Sequence, residues 1–296
     1  MNERNKIYQE SLDAFLKATN EDILDPLAII VQASEYAEKL LYKVEEKQPE
    51  IEILDIGSGN GRKSHTLAAW LGTPGIGPHQ IGLGGTTHKI FTSEKTVPRV
   101  DAIEPKQEQR LVLEETYRNS HFLREVYPTT LAEAPLSRKY DLVLALHSLY
   151  EFLRNEDGTI ATFEKAFQYI KDDGVGVIVK EHPESDIQRL KKDLSSVLQR
   201  PFPLTPQAVE KTLKKHNIFY KQGRSVYFNF PISLDQDSLS LGKQFDFLFS
   251  QKLDDQTLNE RDYKEIAQWV RQNIRRKGEK TYLSTANTIY WWYPTG

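Results

Sequence analysis

The chain has 296 residues, 39% of them hydrophobic, enough to bury one large core or two smaller ones. A formal charge of −3 with a pI near 6.2 gives no electrostatic footprint for nucleic acid, and the lack of cysteine excludes disulfides and thiolate metal sites. No apolar run reaches membrane length and the first six residues are polar, unlike a signal peptide, so a cytoplasmic protein with neither membrane nor nucleic acid as partner is expected.

Residues 1–46 read as helical. Tyr8, Leu12, Phe15 and Leu16 form one apolar stripe, and the polar run Thr19-Asn20-Glu21-Asp22 interrupts it. Helical spacing resumes from Ile29 to Leu41, with Ala33, Tyr36 and Ala37 on one face. On these grounds alone Glu21 is a capping or solvated carboxylate.

The pattern changes at Ile51–Lys63. An apolar, β-branched run predicts a buried strand, Gly57, Ser58, Gly59, Asn60 and Gly61 break it, and helical spacing follows from Lys63 to Leu71. Strand, glycine turn and helix make the first unit of a nucleotide-binding α/β fold. The dinucleotide fingerprint fails, because Arg62 stands where its third glycine must be. The phosphate loop fails too, although Lys63-Ser64 is present, because Arg62 again replaces a glycine. What remains is Asp55-x-Gly57-x-Gly59-x-Gly61. This form resembles the turn that class I methyltransferases use for S-adenosylmethionine; the same pattern also suits an ordinary tight turn of an unrelated α/β protein.

Gly72–Val97 carries six glycines and two prolines before its last strand-like residues, too much punctuation for regular structure. It reads as an insertion, a lid or a contact surface. His79 and His88 lie within it at a spacing that matches no metal pattern. Arg99–Glu104 predicts a second strand ending in an acid, with Pro105 opening a helix to Tyr117. A carboxylate at this address suits the hydroxyls of a ribose. His121–Tyr127 predicts a third short strand, and the hydroxyls of Thr129 and Thr130 either reach an adenine edge or simply make a turn.

Asp141–Leu146 is a near-continuous apolar run, as a central parallel strand should be. His147, Tyr150 and Glu151 follow beyond its carboxyl end, where open α/β sheets hold ligands. A helix over Ala161–Ile170, a turn at Asp172-Asp173-Gly174 and a fifth strand over Val175–Lys180 come next. Further helices are expected from Ser185 to Leu198, from Thr205-Pro206 onward, over Leu241–Leu253 and over Asn259–Arg276, with a strand at Ser225–Leu234. Arg275-Arg276-Lys277 reads as a solvated helix end. Thr281–Tyr293 is the final strand, with Trp291, Trp292 and Tyr293 in packing roles.

Over nearly its whole length the chain also resembles histamine N-methyltransferase and its relatives. The run Y-Q-E-S-L-D-A-F-L-K-A-T-N-E is similar to that family's start and puts its substrate-binding glutamate at Glu21. E-P-K-Q-E-Q matches the adenosine-binding segment, which implies Glu104 for the ribose and Gln109 as a further cofactor contact. N-T-I-Y-W-W-Y implies Asn287 as a substrate-binding asparagine. Thr129 or Thr130 is nearest to a serine that contacts cofactor, and Leu146 falls where an apolar residue backs the adenosine. The chain departs where the family has a substrate-binding glutamine, here His147, and where it has paired tyrosines, here Tyr150 and Glu151.

The resemblance implies a Rossmann-like class I methyltransferase fold: a mostly parallel seven-stranded sheet with an antiparallel last strand, N-terminal helices and a substrate-binding subdomain. Residues 1–200 would hold the helices and the cofactor core, and 201–296 the subdomain elements and closing strands. S-adenosylmethionine would bind through Asp55, Gly57, Ser58, Gly59, Gly61, Glu104, Gln109, Thr129, Thr130 and Leu146, leaving S-adenosylhomocysteine as product. A monomer acting on a small amine or imidazole is expected, with Glu21 as charge anchor, His147 as proton acceptor or substrate contact, and Tyr150, Glu151 and Asn287 also facing the acceptor. O-methylation, methylation of a peptide side chain, and a non-catalytic cofactor-binding regulator are the alternatives.

Overall fold

A computed structural model describes residues 3–19, 21–37, 40, 50–72, 97–148, 165–198, 206–215, 217–249 and 258–294. In chain order the elements are α1 (Glu3–Thr19), α2 (Glu21–Tyr36), β1 (Glu50–Ile56), α3 (Arg62–Leu71), β2 (Val97–Ile103), α4 (Gln107–Tyr117), β3 (Leu123–Tyr127), β4 (Tyr140–Leu146) and β5 (Ile170–Glu181). They continue as α5 (Asp186–Ser195), α6 (Pro206–Lys215), β6 (Tyr220–Gln222), β7 (Val226–Pro231), α7 (Ser238–Lys243), α8 (Asp246–Phe249), α9 (Glu260–Asn273), β8 (Arg275–Lys277) and β9 (Lys280–Trp292). Two compact units share the chain, one made of Asp22–Lys180, Gln207–Arg224 and Thr288–Gly296, the other of Met1–Glu21, Glu181–Pro206 and Ser225–Asn287.

The first unit carries the strand order β3-β2-β1-β4-β5-β9-β6. β1 pairs in parallel with β2 and β4, β2 with β3, and β4 with β5, and β6 runs antiparallel to the end of β9. This is the expected mixed α/β architecture. Ile51, Ile53 and Leu54 of β1 and Leu142, Val143 and Leu144 of β4 are fully buried. Consecutive buried apolar residues of this kind mark strands covered on both faces. Trp291 and Trp292 are buried as well, with Trp291 stacked on Tyr36 and Trp292 edge-on to Phe167, in the packing role expected of them.

Near the strand starts a charged lattice crosses the sheet. Buried Asp101 accepts from both Arg124 Nε and Nη2, at 2.8 and 2.7 Å, and from the Tyr140 hydroxyl at 2.8 Å. Arg124 also reaches Glu52 at 2.9 Å, and Lys171 bridges Asp141 and Glu52 at 2.9 and 3.2 Å. Burial works to raise the Glu52 carboxyl, but the hydrogen bonds from Arg124 and Lys171 outweigh it and hold the group below its ordinary value.

The second unit is held by α1, α5, β7, α7, α8, α9, β8 and the first part of β9. Phe15 packs against Phe230 and Phe247, Ser185 caps α5, and Asn259 with Asp262 forms a capping box at the start of α9.

Several elements depart from the expectations. α2 begins at Glu21 rather than Ile29 and keeps Pro26 inside it. The expected turn at Asp172-Asp173-Gly174 is an irregularity within β5, whose register shifts between its pairings with Tyr140 and Leu142. The Leu241–Leu253 helix is interrupted at Gln244-Phe245, leaving α7 and α8 among its described residues. Arg275-Arg276-Lys277 is a strand and not a helix end: it pairs with Lys280–Tyr282, and Arg275 holds the buried Asp186 carboxylate at 2.9 and 3.0 Å. Tertiary pairing there overrides the local helical pattern. Most of the glycine-rich insertion, with His79 and His88, lies outside the described residues, as do Thr205 and residues 161–164 of the expected Ala161–Ile170 helix, which is helical over 165–168 and gives way to β5 at Ile170.

Candidate functional site

β1 lies between β2 and β4, so the chain leaves it toward one edge of the sheet and later returns to its other side. The crevice beyond the carboxyl ends of such strands is where open α/β sheets bind ligands. Two segments meet this address: the turn after β1 and the exit from β4.

The turn is tied down from below. The N–H groups of Gly57 and Ser58 donate to the Ile103 carbonyl at 2.9 and 3.1 Å, and the Ser148 hydroxyl donates to the Ile56 carbonyl at 2.6 Å. Gly57 and Gly59 both have positive φ, 67° and 56°, but their surroundings differ. A Cβ on Gly57 would lie 2.4 Å from Ser148 Cβ, whereas a Cβ on Gly59 would meet only Gln109 Oε1, at 4.0 Å. Gly57 is therefore required by the protein's own packing. Gly59 borders open space.

Acidic groups line that space. Buried Glu104, just beyond β2, accepts from the Gly59 N–H at 2.8 Å and from the Lys106 N–H at 2.9 Å, one on each oxygen. A carboxylate can accept about four hydrogen bonds, so engaging a vicinal diol does not require losing either contact. Gln109, on the first turn of α4, is buried with its amide oxygen toward Gly59. Asp55 sits beneath the turn. Burial pushes its carboxyl up to about 6, the Glu104 charge adds to this, and the hydroxyls of Ser64 and Ser58 oppose it. Open room over one glycine, a buried acid beside it and a second acid below suit a ligand with a sugar diol and a positive charge. The residues present fit S-adenosylmethionine.

At the exit of β4, Leu146 is half-buried while the rest of the strand is buried. His147 adopts φ 59°, a left-handed conformation uncommon for a residue with a side chain. Its N–H donates to the Val179 carbonyl at 3.0 Å, and its Nε2 lies 3.1 Å from Asp25 Oδ2. Asp25, on α2, is fully buried, and the same oxygen accepts from Lys63 Nζ at 2.8 Å. No motif in the sequence marks Asp25 or Ser148, and Lys63 stands out there only as the start of a helical pattern and as part of a failed phosphate loop. The sole local hint at Asp25 is its place one helical turn after Glu21.

The hydroxyls of Thr129 and Thr130 donate to the Glu133 carboxylate at 2.7 and 3.1 Å, making a turn at the exit of β3. Glu21 is buried at the start of α2 and ends the first segment of the second unit. Asn287 is fully buried in β9, opposite Val226, and ends that unit's last segment. Tyr150 and Glu151 lie outside the described residues.

No protein-family profile matches this chain, and no curated protein is similar to it in sequence. Solved structures are similar in fold. The YcgJ protein of Bacillus subtilis is 11% identical with a TM-score of 0.50, the match covering 88% of this chain and 100% of that one. A Bacillus halodurans protein provisionally named a methyltransferase is 12% identical with a TM-score of 0.51, over 86% of this chain and 99% of that one. At such identities the likeness is one of fold, and the chain has the Rossmann-like α/β fold of these structures.

Proposed function

We propose that the chain is an S-adenosylmethionine-dependent methyltransferase acting on a small amine or imidazole-type acceptor. The observation that carries this reading is the pairing of open space over Gly59 with the buried Glu104 carboxylate anchored on the Gly59 N–H. The fold likeness to a protein provisionally named a methyltransferase agrees with it. The narrower likeness to histamine N-methyltransferase rests on the residue matches at Glu21, Gln109 and Asn287.

When bound, the cofactor supplies an electrophilic methyl whose sulfur leaves without assistance. Glu104 would hold the ribose hydroxyls, with Gln109 beside it and Leu146 behind the adenosine. The acceptor must present a neutral lone pair within about 3–3.5 Å of the methyl, in line with the bond that breaks. Glu21 would anchor a basic acceptor by charge, and Asn287 would orient it. His147 would take the proton that an ammonium form must lose, a task suited to an imidazole near neutral pH.

The test is to incubate the protein with S-adenosylmethionine and a panel of biogenic amines, amino acids and phenols, and to look by mass spectrometry for the gain of one methyl. An amine carrying the added methyl is expected. Methylation confined to phenols would overturn the acceptor class, and absence of cofactor binding would overturn the reading as a whole.

A further inference from the structure

His147 is fixed from several directions. Its backbone is in the left-handed region with φ 59°, and its N–H is held by the Val179 carbonyl at 3.0 Å. The next residue, Ser148, is tied to the Ile56 carbonyl at 2.6 Å. A conformation this uncommon persists only where its surroundings over-determine it, and such residues cluster at functional sites. The ring is fixed too. Its Nε2 lies 3.1 Å from Asp25 Oδ2, and Asp25 is fully buried on α2.

A buried carboxylate needs compensation, and Lys63 supplies it at 2.8 Å with a side chain only 13% exposed. The ammonium and the imidazole therefore share one carboxylate oxygen. With Lys63 balancing the charge, Asp25 can orient a neutral ring without demanding that it become an imidazolium. An acidic partner on one ring nitrogen sets the tautomer and leaves the other nitrogen with the basic lone pair.

We propose that Asp25 is the positioning residue for His147: it accepts the Nε2 proton, so that Nδ1 carries the lone pair that takes the acceptor's proton, while Lys63 balances the Asp25 charge. This rests on the reading of His147 as proton acceptor in a methyltransferase. In the proton-transfer step the Nδ1 lone pair takes a proton from the ammonium of the acceptor. The resulting imidazolium keeps its Nε2–H on Asp25, and the acceptor nitrogen is left neutral.

The test reads the ring directly and needs neither cofactor nor turnover. In protein labelled with 15N-histidine, the signal of His147 among the seven histidines is assigned by its loss in His147→Gln. At a pH where the ring is neutral, its shifts and two-bond couplings are expected to report the Nε2–H tautomer. Asp25→Asn leaves Lys63 to claim the amide oxygen, so the Nε2–H tautomer should lose its majority. Asp25→Leu combined with Lys63→Met removes both charges without leaving one buried and unpaired, and the same loss of tautomer preference is expected. In turnover with an accepted amine, either variant should lower kcat about tenfold or more while calorimetric affinity for S-adenosylmethionine is kept.

A parent ring in the Nδ1–H form, or a parent-like ring signature in whichever of these variants folds, overturns the proposal. Unaltered kcat in a variant whose ring has changed tautomer overturns it equally. If the parent fails to bind S-adenosylmethionine, the methyltransferase reading falls while the ring measurement still reports whether Asp25 holds His147.

Discussion

At Gly57 and Gly59 the same substitution should have different consequences. Gly57→Ala adds left-handed strain to a Cβ that would lie 2.4 Å from Ser148 Cβ, and Ser148 anchors the Ile56 carbonyl. Gly59→Ala meets nothing of the protein closer than 4.0 Å, so it should cost only the backbone strain, about 1–2 kcal/mol. Thermal unfolding should therefore show Gly59→Ala folded and Gly57→Ala severely destabilised, whereas calorimetry should show Gly59→Ala impaired for S-adenosylmethionine. Asp55 supplies a pH signature at the same scale. Its carboxyl rises from 3.8 to about 6 in the folded state, so the folded protein binds that proton more tightly than the unfolded chain does. This group's contribution to stability is then greatest below about 4 and is lost as pH rises to about 6, a change on the order of 3 kcal/mol. Asp55→Asn should flatten that part of the stability–pH curve. A cationic ligand over the turn favours the ionised form, so calorimetric affinity for S-adenosylmethionine should weaken as pH falls through about 6.

Among the elements, strands β1 to β5 are locked near their starts by the lattice around Asp101, whose side chain is fully buried. Arg124→Ala would leave that carboxylate without the guanidinium that holds both its oxygens. Denaturant unfolding should show a loss of about 3–5 kcal/mol, as expected for a broken buried pair. Glu52 behaves oppositely to Asp55: its carboxyl is held below its ordinary value, so its contribution is present at neutral pH and is lost as pH falls through the folded-state value. β1, its glycine turn and the acid after β2 were legible in the sequence because each is written in consecutive residues. The break within Leu241–Leu253 and the strand at Arg275–Lys277 were not, since these depend on partners distant in the chain, such as Asp186 for Arg275. The start of α2 at Glu21 was not legible either, since the helix runs on through Pro26, a residue that usually interrupts one.

For the molecule as a whole, the mixed sheet followed from alternating strand and helix patterns, and its order places the turn after β1 and the exit from β4 at one crevice. Glu104 was found because a strand-end acid after a glycine turn is a spacing rule. Asp25 and Lys63 were not, because only folding carries a carboxylate on α2 and an ammonium on α3 to His147. Among the described residues no helix is long and apolar enough to cross a membrane. The most direct measurement is isothermal titration of S-adenosylmethionine into the parent protein and into Glu104→Ala. Saturable one-to-one binding by the parent, with affinity lowered at least about tenfold in a variant that remains folded, is the predicted result. A parent that does not bind, or a variant that binds as the parent does, would contradict the account.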